Sequence, residues 1–210
     1  MKIHDLAAFP NPARVRIALH EKNGFGEVEF VEVDVMGGEH KTPEFRAKNP
    51  STTVPVLELD DGTFISECTA ITEYIDAAFD GPALTGEGPK GRATVHMMQR
   101  RAEAYVMDAV GTYFHQATDG LGPDVEGDQC AEWGERQKGI ATDGMGYFDG
   151  VLADSAFVAG EAFSMADITL FMGLRFADLA DVDVPPRLAN LVDWRRRVAG
   201  RESVKAVLGA

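Results

Sequence analysis

The chain has 210 residues, 45% of them apolar, and its 34 Asp and Glu outnumber its 20 Lys and Arg for a net charge of −14. An apolar share of that size supports a packed core, in one domain or two small ones, and excludes a disordered tail. The acidic balance excludes electrostatic docking on DNA, RNA or anionic lipid, which would add repulsion instead of releasing counterions.

The only cysteines are Cys68 and Cys130, and no CxxC pair occurs. This pattern fits a reduced cytoplasmic protein better than a disulfide scaffold or a dithiol redox site. At the N-terminus Asp5 follows close behind Ile3 with no apolar core region, so no signal peptide is expected. No run approaches the roughly 18 apolar residues of a membrane span.

In chain order, Lys2–Leu6 reads as a short strand. Asn11 followed by Pro12 then predicts a helix start, with Asn11 as the capping side chain and proline at the first helical position. Val15, Ala18, Leu19 and Lys22 continue at helical spacing to a stop at Asn23-Gly24. "VEFVEVDV" (Val28–Val35) alternates as a half-buried strand, and "PVLELDDGTFIS" (Pro55–Ser66) reads as two strands around an Asp-Gly turn. From Glu67, Ile71, Tyr74, Ile75 and Phe79 share one helical face. The order is βαβ, a loop or short helix, then ββα.

"DGPALTGEGPKG" (Asp80–Gly91) is linker chemistry. Beyond it strand signals nearly vanish. Arg92–His115, Asp128–Ala153, Ser164–Leu179, Leu188–Val198 and Glu202–Leu208 are predicted helices. Ser164 and Asp167 form a capping box at the third of these and belong to folding, not chemistry. An α/β domain therefore precedes an all-helical one.

Four stretches carry a resemblance to the glutathione S-transferase family: "PARVRIAL", "TTVPVLELDDGTFISECTAITEYI", the glycine-rich linker and "VAGEAFSMADITL". The resemblance implies a thioredoxin-like glutathione-binding domain over residues 1–80, a linker over 81–91 and a helical substrate-binding domain over 92–210. It implies glutathione as co-substrate, no metal, a small apolar electrophile as second substrate and a homodimer in the cytoplasm. A proline before a strand of this fold is often cis, and the resemblance implies that the backbone of Val54, before Pro55, binds the cysteinyl part of glutathione. Glu67 and Cys68 open a helix whose N–H groups favour anions, and by resemblance they meet the γ-glutamyl end. Family members usually have Ser or Thr where Cys68 stands, and a thiol is the weaker donor. His40 and Lys41 lie in the loop where the family meets the glycine carboxylate.

One part of the family pattern is missing. The nucleophile is the glutathione thiolate, and a thiol of pKa about 8.5 needs roughly 2 kcal/mol to reach a pKa of about 7. Most members supply part of this from a Tyr, Ser or Cys near the end of the first strand, whereas this chain has Phe9, Pro10, Asn11 and Pro12 there. Two substitutes are expected. The Asn11 NH₂ group and the helix N-terminus can steady the sulfur, and His115 in the helical half can act as a base through a water. The chain resembles an atypical bacterial and fungal subgroup thought to use such a histidine. The competing expectations are a non-catalytic glutathione-binding module and a glutathione-dependent peroxidase or reductase.

Overall fold

The computed structural model describes residues 1–209 of the chain. The chain divides into two compact units, Met1–Leu84 with the last few residues of the chain, and Thr85–Lys205.

The first unit runs β1 (Lys2–Asp5), α1 (Pro10–Glu21), β2 (Glu29–Glu32), α2 (Pro43–Lys48), β3 (Val56–Glu58), β4 (Phe64–Ser66) and α3 (Cys68–Ala78). The strands lie in the order β2-β1-β3-β4, with β1 parallel to β2 and the other pairs antiparallel. This mixed sheet with its helices is the thioredoxin-like arrangement that the family resemblance implies. Its core follows from the two periodicities. Ile3 and Leu57 are paired across β1 and β3 and bury against Val15 and Leu19 of α1 and Cys68, Ile71 and Ile75 of α3. Each fully buried aliphatic contributes about 1.5–3 kcal/mol, which outweighs the modest propensity of such short strands.

The two residues that follow Ile3 on β1 are polar and are buried too. His4 is buried with Nε2 2.6 Å from Glu58. Asp5 is buried as well and accepts two hydrogen bonds from Arg16, at 2.7 and 2.9 Å. The Arg16 guanidinium lies 3.9 Å from the Phe30 ring centroid. A buried carboxylate is tolerated because it is paired in this bidentate way.

The second unit is helical: α4 (Gly88–Ala102), α5 (Asp108–Ala117), α6 (Ala131–Ala153), α7 (Met165–Leu179) and α8 (Ala189–Ala199), with α9 (Glu202–Leu208) closing the chain. Two predicted boundaries are corrected. The helix expected from Arg92 begins at Gly88, inside the glycine-rich stretch, because Pro89 suits the first turn. The helix expected to run unbroken to His115 instead widens into a π-type turn over Glu103–Met107. Gly144 of α6 packs there, and a Cβ at that position would stand 2.4 Å from the Tyr105 carbonyl oxygen, so the two helices meet at backbone distance.

At the start of α7 the capping box forms as expected. Asp167 accepts from the Ser164 N–H and hydroxyl at 3.0 Å each, the Val158 N–H at 2.9 Å and the Trp194 indole at 3.0 Å. Burial pushes its carboxyl up to about 6, with the four donors pulling in the opposite direction.

Candidate functional site

Strand register decides which segments of the first unit meet. Asp5 lies opposite Glu32 in the parallel pair, so the chain leaves β1 and β2 at the same end of the sheet. Val56, the first residue of β3, lies opposite both His4 of β1 and Ser66, the last residue of β4. One edge of the sheet therefore collects the corner into α1, the loop carrying His40 and Lys41, the Val54–Pro55 step and the start of α3 at Glu67–Cys68. His4 and Ser66, 62 positions apart in the chain, are brought to one end of the sheet by pairing alone.

At the corner the structure corrects the expected cap. The capping position is Phe9, which makes no side-chain cap, and α1 begins one residue before Asn11, at Pro10. The Phe9 N–H donates to the Leu6 carbonyl at 3.0 Å and the Ala13 N–H to the Phe9 carbonyl at 3.1 Å. With the helix starting at Pro10 the Ala13 N–H is taken, and Pro10 and Pro12 have no N–H, so the donor of this turn that the helix cannot satisfy is the N–H of Asn11. Asn11 itself is exposed. Its side-chain oxygen accepts from Arg14 Nη1 at 2.9 Å, which commits the oxygen and leaves the NH₂ for a ligand.

Cys68, the first residue of α3, is buried with Sγ 3.4 Å from the Asn11 carbonyl oxygen and 3.8 Å from its Oδ1. The two helix starts are thus clasped together, and the thiol faces Asn11. Glu67 just before it is exposed and holds φ +69° and ψ 121°, a left-handed backbone that a residue with a Cβ adopts at a cost of about 1–3 kcal/mol. The Val54–Pro55 bond is cis, with Pro55 buried.

His40 is only 7% exposed, and its Nδ1 is buried without a hydrogen-bond partner among the described residues. Burial, followed by the charge on Lys41, lowers its pKa below the usual histidine value, so the ring is neutral at pH 7. Lys41 beside it is exposed. The Asn11 NH₂ and N–H, the start of α3 and the His40 Nδ1, which has no hydrogen-bond partner among the described residues, are thus carried by segments that meet at one end of the sheet.

Two family models match the chain: "Glutathione S-transferase, N-terminal domain" over residues 4–83 and "Glutathione S-transferase, C-terminal domain" over residues 131–201. Glutathione S-transferase 2 of Saccharomyces cerevisiae is 55% identical over 208 residues, which span 99% of this chain and 89% of that protein. The chain belongs to the glutathione S-transferase family. A glutathione S-transferase domain-containing protein of Marinobacter aquaeolei VT8 superposes on this family member with a TM-score of 0.96 at 59% identity, covering 97% of this chain and 100% of that one. Gtt2 from Saccharomyces cerevisiae superposes with a TM-score of 0.97 at 55% identity, covering 99% and 100%.

The second sequence-predicted catalytic residue of this glutathione S-transferase stands in the other unit. His115 lies in the last turn of α5, its side chain 42% exposed. Nδ1 is 2.7 Å from Glu126 Oε1, a partner that the sequence reading missed because it sits eleven residues on, in an irregular loop. Phe114 packs against His115 and Phe176, while Tyr113 is buried with its hydroxyl accepting from Lys138 at 3.2 Å. Among the described residues no group of three His, Cys, Asp or Glu could hold a metal ion, and no helix is long and apolar enough to cross a membrane.

Proposed function

We propose that this enzyme binds glutathione along the sheet edge of its first unit and transfers the thiolate to small hydrophobic electrophiles, a detoxifying conjugation in the cytoplasm. The observation that carries the reading is the convergence of Asn11, Cys68, Glu67, the cis Val54–Pro55 step and the loop of His40 and Lys41 at one end of the sheet, with an open donor at Asn11 and an unpartnered ring nitrogen at His40. In this reading the Val54 backbone pairs with the cysteinyl residue, as an extended peptide adds to a strand edge. Glu67 and the α3 N-terminus hold the γ-glutamyl end, and His40 and Lys41 hold the glycine carboxylate. Cys68 acts through its backbone, because its thiol is turned to Asn11.

The Asn11 NH₂ and N–H steady the sulfur. One hydrogen bond to a charged acceptor contributes about 1.5–3 kcal/mol, which covers the roughly 2 kcal/mol the thiolate requires. His115 takes the thiol proton through a water. With a chlorinated nitroaromatic the S–C bond forms, the C–Cl bond breaks, chloride leaves with its electron pair, and the proton passes from His115 to solvent.

A homodimer is part of the same proposal. Support comes from an apolar groove of about 320 Å³ in the helical unit whose lining includes Tyr105, Ile140 and Tyr147, each more than a third exposed. The decisive experiment is turnover of a chlorinated nitroaromatic with glutathione, alongside glutathione affinity by calorimetry. Conjugation activity supports the proposal. Tight glutathione binding without conjugation, peroxidase or thiol-reductase turnover would identify a binding module, and disulfide-linked glutathione on Cys68 would point to thiol reduction.

A further inference from the structure

We infer that Glu126 is a positioning residue for His115, holding the imidazole with its proton on Nδ1 and the Nε2 lone pair open to act as base. The inference rests on the reading of His115 above. A neutral imidazole carries one proton and can place it on either ring nitrogen, and only the unprotonated nitrogen can accept another. The Glu126 carboxylate is an acceptor 2.7 Å from Nδ1, so the proton belongs on Nδ1. When Nε2 takes a proton, the same carboxylate stands beside the new positive charge.

The loop that presents Glu126 is fastened at several points to the end of α5. Gln129 Nε2 donates to the carbonyls of His115 and Thr118 at 2.7 and 2.9 Å. The Thr118 hydroxyl donates to the Phe114 carbonyl at 2.6 Å and accepts from the Gly120 N–H at 3.0 Å. Glu126 Oε1 also accepts from the Leu121 N–H at 2.7 Å, which locks the carboxylate inside its own loop. Gly120 holds φ +54°, and a Cβ there would stand 2.1 Å from Glu126 Oε1, so the carboxylate occupies space that only glycine leaves open. The Glu126 side chain is 12% exposed against 42% for His115. A sheltered acid thus grips one nitrogen of a ring whose remainder is accessible, which is the arrangement of an oriented base and not of an exposed surface ion pair.

Glu126→Gln separates the charge from the anchoring, because the amide keeps an oxygen at the Oε1 position for both the Leu121 N–H and His115 Nδ1 while losing the negative charge beside the ring. The expected result is a fall in kcat of about tenfold or more, with glutathione affinity and melting temperature at wild-type values. Adding Glu126→Gln to His115→Ala should lower kcat no further than His115→Ala alone. Nitrogen-15 spectra of histidine-labelled wild type, assigned by His115→Ala, should show the proton on Nδ1 of His115. Wild-type kcat in Glu126→Gln with an impaired His115→Ala overturns the inference and leaves the role of His115 standing. A proton on Nε2 in the wild-type spectrum overturns it without reference to any variant's folding. Wild-type kcat in His115→Ala overturns both.

Discussion

Two helix starts in this molecule solve the same problem in opposite ways. At α7 the end is closed inside the protein: the Ser164–Asp167 capping box forms, and Asp167, which is fully buried, also accepts from the Val158 N–H and the Trp194 indole. At α1 no side chain caps the turn, two of its positions are proline, and the Asn11 N–H and NH₂ remain on an exposed residue. An end closed by its own side chains is a structural fastening. An end left open beside a second helix start keeps its donors for an acceptor from outside, which is the role the proposed function gives it.

The largest effect that would test this contrast is expected from Asp167→Ala. It leaves buried N–H donors without a partner, each at about 1–3 kcal/mol, so a loss of about 4 kcal/mol is expected in denaturant unfolding. A loss below about 1 kcal/mol would show that the α7 start is not the fastening described.

A pH effect follows from the same carboxyl. Folded, it holds its proton up to about pH 6; unfolded, its ordinary value is 3.8. The folded chain therefore binds the proton first as pH falls, and this group's contribution is fully present below about pH 4, is lost as pH rises to about 6 and is flat above that. The span is worth about 3 kcal/mol. Measuring unfolding free energy for wild type and Asp167→Asn from pH 4 to 7 should show wild type losing ground to the variant as pH rises; a constant difference would refute the shift.

Asn11→Ala should give the smallest change in stability, about 1 kcal/mol, because the residue is exposed and gives up one hydrogen bond from Arg14. The thiol of bound glutathione should rise by about one pKa unit, the equivalent of one charge-assisted hydrogen bond. Thiolate absorbance against pH in wild type and variant measures it. An unmoved titration would assign the sulfur to the backbone or to His115, and the open helix end would then be only a corner.

Much of this was legible because it is local. The Ser164–Asp167 box spans three residues and is written in the helix-start code. Val54-Pro55, the Asp-Gly hairpin and the helical spacing from Ile71 to Phe79 are equally short-range. The start of α1 was misread for an instructive reason: Asn11-Pro12 and Phe9-Pro10 both offer a proline after a non-helical residue, and the Phe9 N–H bond to Leu6 settles the choice in favour of the earlier one. The π-type turn was invisible because it answers to the backbone approach of Gly144, dozens of residues on.

The candidate site divides along the same line. Residue types at the corner, the missing hydroxyl and the presence of His115 were readable from the chain alone. The Asn11–Cys68 contact, across 57 positions, was not. Neither were the unpartnered His40 nitrogen, the strained Glu67 backbone and the Glu126 carboxylate on His115. By itself the sequence determined the elements and the two-part organisation, because periodicity, capping and composition act over a few residues, and the family resemblance added that the corner lacks the usual thiol activator. Only the tertiary structure decided which donors stay open and which histidine nitrogen is gripped, because strand register, burial and loop closure choose partners that sequence distance does not reveal.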